Sequence, residues 1–127
     1  MRLSAAQFAL LCLSLIYSTS PAAAAERRCG WFDNPTAGNA WLRDKDGDWV
    51  IAEQGGYQAK GTWPPIFTEE QWIVTNVGNH GYGCACMDVT TDTAKKHIVT
   101  ILKSNARPAS ACIKDKTLPV LMDEEVN

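Results

Sequence analysis

The sequence is short of the residues that catalysis and nucleic-acid binding draw on. Only two histidines, His80 and His97, occur in 127 residues, so a serine or cysteine nucleophile has two places to find an imidazole base. Basic residues do not outnumber acidic ones: 12 Lys and Arg stand against 14 Asp and Glu, a formal net charge of −2. Apart from Arg27–Arg28 and Lys95–Lys96 the cations are scattered. This excludes the basic stripe that displaces counterions from nucleic acid. No apolar run reaches the roughly 20 residues that span a bilayer. There is no C-x-x-C pair, no internal repeat and no low-complexity linker, so the chain reads as one small domain.

What the N-terminus does contain is a leader pattern. Met1–Arg2 is a positive start, Leu3 to Tyr17 is mostly apolar, and small residues follow in Ala22–Ala25. Ala23 and Ala25 fit the A-x-A positions of a secretory signal, with the cut expected before Glu26. Residues 1–25 are therefore expected to be removed on export. Residues 26–127 remain as a β-rich domain whose acidic tail frays from about Asp123. The expected location is periplasmic or secreted, with no stable membrane anchor once the leader is gone.

Cysteine carries the most information. Cys12 lies within the leader, and Cys29, Cys84, Cys86 and Cys112 remain, an even number in an exported chain. A strand holds the side chains of Cys84 and Cys86 about 6–7 Å apart, too far for a mutual bond. Two pairings stay open: Cys29–Cys84 with Cys86–Cys112, or Cys29–Cys86 with Cys84–Cys112. Either closes loops of about 55 and 27 residues, each contributing roughly 4 kcal/mol in the chain-entropy treatment.

Along the chain, Ala40–Arg43 and Asp48–Ala52 flank Asp44-Lys45-Asp46-Gly47 as a hairpin, with Gly47 at positive φ. Leu42, Trp49 and Ile51 fall on one face, Trp41, Val50 and Ala52 on the other. Asp33–Asn39 and Asn76–Gly83 have loop composition. Cys84–Thr90 and His97–Lys103 read as strands. Thr68-Glu69-Glu70-Gln71 has the capping-box spacing of one helical turn, while Gln71–Thr75 alternates weakly and reads equally as a strand; a further helical turn is expected within Ser110–Lys116. The whole predicts an all-β domain: a disulfide-stapled sheet, sandwich or barrel of five or six strands with a short helical turn.

Arg28-Cys29-Gly30-Trp31, the hairpin Trp41-Leu42-x-Asp44-x-Asp46-Gly47-x-Trp49, Gln54-Gly55-Gly56 and Gly83-Cys84-Ala85-Cys86 occur in that order. In these segments the chain resembles the exported bacterial family known as domain of unknown function 4087. Asn76, His80-Gly81-Tyr82, Arg107-Pro108 and Cys112 fit the same pattern. The resemblance implies an exported bacterial protein with four cysteines, and no activity.

Candidate sites follow from residue chemistry. Asp44–Asp48 fails the EF-hand register, where Trp49 and Gly55 occupy the glycine and glutamate places. Cys84-x-Cys86 with His80 would suit a soft metal, but an oxidising compartment consumes such thiols as disulfides. His80 as the base of a small hydrolase is a weaker reading still. No catalytic residue, metal ligand or cofactor is assigned. The five tryptophans either thicken a thin core, the favoured reading and the one for Trp49 beside Leu42 and Ile51, or pave a binding surface; the expected role is a non-catalytic binding module of the bacterial envelope. Its candidate ligand-binding residues are Trp31, Trp41, Tyr57, Trp63, His80 and Tyr82, and its expected partner is a cell-wall glycan or an envelope or secreted protein.

Overall fold

A computed structural model describes residues 16–17 and 24–121. Most of the expected leader and the acidic tail lie outside them. Seven strands and one short helix follow in order: β1 Glu26–Thr36, β2 Asn39–Asp44, β3 Gly47–Ala52, β4 Lys60–Gly61, β5 Trp72–Asn76, β6 His80–Asp92, β7 His97–Arg107 and α1 Ala109–Ile113.

The β2–β3 hairpin forms where the alternation places it, with Asp44 opposite Gly47 and Leu42 opposite Trp49. Gly47 takes φ 117°. Leu42, Trp49 and Ile51 are all buried in the core. The sheet order is β4-β7-β3-β2-β1-β6-β5, and β6 also pairs with β7. That extra pairing closes β1, β2, β3, β7 and β6 into a barrel. Its seam is the parallel contact Val50↔His97, where the Val50 N–H donates to Lys96 O at 2.8 Å. Three hairpin-connected strands with a fourth returning beside the first make a Greek key, here in the spatial order β6-β1-β2-β3. Five-stranded barrels of this kind form the OB class. The likeness is one of architecture and assigns no activity.

The barrel interior is filled by Phe32, Leu42, Trp49, Ile51, Met87, Val89, Ile98 and Ile101, with small Ala40, Ala59 and Ala85 between them. Ile98 and Ile101 both point inward although strict alternation would oppose them. The β6–β7 register explains this, because it steps over Leu102 and Val99 as bulges. Those two residues are left exposed.

Three local expectations are corrected. Asp33–Asn39 is not a loop, since β1 continues to Thr36 and turns only at Ala37-Gly38. A register shift between Asp33 and Thr36 accommodates Pro35, which has no N–H for a regular ladder. Asn76–Gly83 likewise contributes Gly81 and Gly83 to β6. Thr68–Gln71 makes the reciprocal contact of a capping box, with the Thr68 N–H donating to Gln71 Oε1 at 3.0 Å. It opens no helix, because Trp72 enters β5 at once.

Candidate functional site

The four cysteines form Cys29–Cys86 and Cys84–Cys112, the second of the two pairings left open. Cys29 and Cys86 face each other across the β1–β6 ladder. Cys84–Cys112 fastens α1 to β6. α1 and the segment after it lie across the outer face of the barrel, where Ala109, Ala111, Leu118 and Leu121 pack on Trp31, Tyr82 and the disulfide. Trp31 Nε1 donates to Pro119 O at 3.1 Å, and its ring meets Tyr82 edge-on with centroids 5.3 Å apart.

This strap determines where two candidate residues stand: Trp31 and Tyr82 are each 4% exposed. Trp41, Tyr57, Trp63 and His80 are half-buried, and the first three pack against different neighbours. Trp41 lies under the Arg43 guanidinium, and Arg43 is held by Asp33 and Asp48. Tyr57 stacks on His97 with centroids 3.9 Å apart. Trp63 leans on Phe32. His80 begins β6, and its Nδ1 is buried with no hydrogen-bond partner among the described residues. With all four cysteines among the described residues in disulfides, Cys84-x-Cys86 has no thiolate to give a metal. Among the described residues no group of three or more His, Cys, Asp or Glu could hold an ion.

The acidic turn has a structural occupant. Arg28 Nη1 donates to Asp44 Oδ2 at 2.8 Å and to Asp46 Oδ2 at 2.9 Å. Trp49 Nε1 donates to Asp44 Oδ1 at 3.0 Å, and the Arg28 guanidinium sits 4.0 Å from the Trp49 ring centroid. Burial opposes the Arg28 charge, but hydrogen bonds to Asp44, Asp46 and Glu26 outweigh it and raise its pKa.

The barrel mouth opens at the other end of β1. There β1, β6 and β5 run side by side, with Asn34 and Val74 flanking Gly81 and Phe32 and Trp72 flanking Gly83. The two glycines allow close approach here, and a Cβ on Gly81 would run into the Ile73 backbone. The loop 62–71 packs against Gly83, where a Cβ would stand 2.5 Å from the Phe67 ring. Phe67 and Trp72 pack against each other and against Phe32. Trp72 Nε1 donates to Asn79 O at 3.0 Å, which fixes the indole. Between the loop and β5 lies a cavity of about 550 Å³ lined by Asn34, Pro64, Pro65, Phe67, Thr68, Glu69, Trp72, Val74 and Asn79. This volume falls within the usual range for small-ligand sites, which barrel mouths commonly provide.

Of the tryptophans counted in the sequence, the one that lines this cavity is Trp72, which was not among the candidate residues. The available signal was the spacing of Gly81 and Gly83 opposite an aromatic strand. It was masked because that stretch has the composition of a loop. No curated protein and no solved structure matches the chain. A family model described as protein of unknown function (DUF4087) does match, over residues 23–119, and the chain belongs to that family.

Proposed function

We propose that the protein is a non-catalytic binding module, exported with its leader removed, whose ligand sits in the cavity at the barrel mouth. The carrying observation is the composition and orientation of that cavity. Phe67, Trp72, Pro64 and Pro65 make an apolar wall, and Asn34, Thr68, Glu69 and Asn79 supply the polar positions. Asn34 Nδ2 donates to Thr36 O at 3.0 Å and Asn39 O at 2.6 Å. With both amide hydrogens engaged, Asn34 offers a ligand only its oxygen, and the Glu69 carboxylate is likewise an acceptor. The lining residues include no lysine or arginine, which disfavours an anionic ligand. An apolar aromatic wall facing acceptors suits a neutral, hydroxyl-rich ligand, and a cell-wall glycan fits that description.

Titration with N-acetylglucosamine oligomers, followed by calorimetry, tests this reading. Saturable binding is expected, with Trp72→Ala weakening it by about tenfold or more, as for a central aromatic anchor. Absence of binding, or a folded Trp72→Ala variant that binds as well as wild type, removes the glycan reading.

A second reading has its own support. β5 is an edge strand of the sheet, Val74 on it is 57% exposed, and Ile66 nearby in sequence to the cavity-lining Pro65 and Phe67 is 94% exposed. An extended peptide could pair along β5 and place a side chain in the cavity. Backbone amide shifts in Ile73–Asn76 on adding a peptide, with none on adding glycan, would favour it.

A further inference from the structure

The two disulfides differ in where they stand. Cys84 and Cys112 are both buried beneath the C-terminal strap. The other bond is asymmetric: Cys86 is buried, whereas Cys29 is exposed. Cys29 also lines a recess of about 230 Å³ together with Arg27, Arg28, Asp44, Lys45 and Asp115. At the buried end, Arg107 Nη1 donates to Cys86 Sγ at 3.3 Å.

We propose that Cys29–Cys86 is a thiol–disulfide exchange site, in which Cys29 Sγ is attacked and Cys86 leaves as the thiolate. Exchange needs an attacking thiolate to reach one sulfur and the other to carry away the electron pair. Access assigns the first role, because Cys29 is the exposed member of the pair. Charge assigns the second, because a guanidinium beside a sulfur favours its thiolate. Arg107 is available for this. Arg27 is paired with Asp88, and Arg28 with Glu26, Asp44 and Asp46, while Arg107 joins no ion pair among the described residues.

The co-reactant is a dithiol. One of its thiolates attacks Cys29 Sγ, and a new sulfur–sulfur bond forms as the Cys29–Cys86 bond breaks, leaving its electron pair on Cys86. The second thiol of the co-reactant, deprotonated, then attacks its own sulfur of the mixed disulfide and expels the Cys29 thiolate. The co-reactant departs as a disulfide. Cys29 and Cys86 end as thiols, having gained two electrons from it and the two protons it gave up. The fold tolerates the cycle because β1 and β6 stay paired from Glu26↔Val89 to Asn34↔Gly81. Cys84–Cys112 has no such redundancy, since it is the covalent tie between α1 and β6.

Graded dithiothreitol, followed by alkylation and peptide mass mapping of the oxidised protein, tests the assignment. Cys29 and Cys86 are expected to label while Cys84–Cys112 stays intact and the near-ultraviolet tryptophan dichroism persists. Glutathione should be trapped on Cys29, with a free thiol on Cys86. Arg107→Ala should slow reduction about tenfold, the loss of one hydrogen bond to a charged group, and Arg107→Lys should recover most of that rate. Equal labelling of all four cysteines, glutathione on Cys86, or an unchanged rate in Arg107→Ala would each overturn the proposal.

Discussion

Asp44 is the buried carboxylate around which one end of the barrel is organised. At 4% exposure it accepts from Arg28, from the Trp49 indole and from the Asp46 N–H. Removing Arg28 would leave its charge without a partner. Arg28→Ala is therefore expected to cost about 3–5 kcal/mol in denaturant unfolding, and a change under about 1 kcal/mol would show that the pair is dispensable. Gly83 governs the other end, where a methyl would strike Phe67. Gly83→Ala should cost about 1–3 kcal/mol as an overpacked site and weaken any ligand of the cavity. Unchanged stability and binding would mean that Phe67 does not rest on Gly83. The surface carboxylates set the acid limit. Glu26 is held below its ordinary value of 4.5 by the Thr91 hydroxyl and by Arg28. Asp46 is held below 3.8 by its bond from Arg28. A lowered folded pKa gives stability that is complete above the ordinary value and is lost as pH falls through the folded one. Unfolding free energy should thus decline below about pH 4.5, and the decline should be shallower in Glu26→Gln and Asp46→Asn.

The strap formed by α1 and the segment to Leu121 turns an outer strand face into a second core. Trp31 and Tyr82 would lie open without it, so Cys112→Ala with Cys84→Ala should free the strap. Faster amide exchange at residues 109–121 and a red-shifted tryptophan emission are the expected readouts, with an entropic loss of roughly 4 kcal/mol from opening the loop. Protection of those amides equal to wild type would show that packing alone holds the strap. Some elements could be read from local pattern and others could not. Alternation placed Leu42, Trp49 and Ile51 on the inner face, and the even cysteine count announced two disulfides. The pairing did not follow from spacing, because Cys84 and Cys86 are equally remote from either partner. Nor did the length of β1, because Asn34-Pro35 has turn composition and is kept in the sheet by β6 alongside. His97–Lys103 was legible as a strand, but its apolar residues have no simple alternation, and bulges in the β6–β7 ladder decide that Val99 and Leu102 turn outward.

At the scale of the molecule, barrel closure brings together pieces far apart in the chain: Asn34 near the end of β1, the proline loop with Phe67, Trp72 at the start of β5 and Asn79 before β6. An all-β domain was legible because strand patterns recur between turns. The site was not, because its lining comes from β1, the proline loop, β5 and the turn before β6, and no local pattern announces that these segments meet. Membership of the family over residues 23–119 spans the whole barrel, so the mouth and the two cross-links are features of the matched region. A ligand is expected to enter at that mouth. Amide and indole shift mapping of the oxidised protein with N-acetylglucosamine oligomers tests it most directly. Shifts confined to residues 64–74, 79, 81 and 83, the Trp72 indole and Asn34 are the predicted result. A spectrum that does not change, or shifts centred on Trp41 and the outer face of β2–β3, would contradict it.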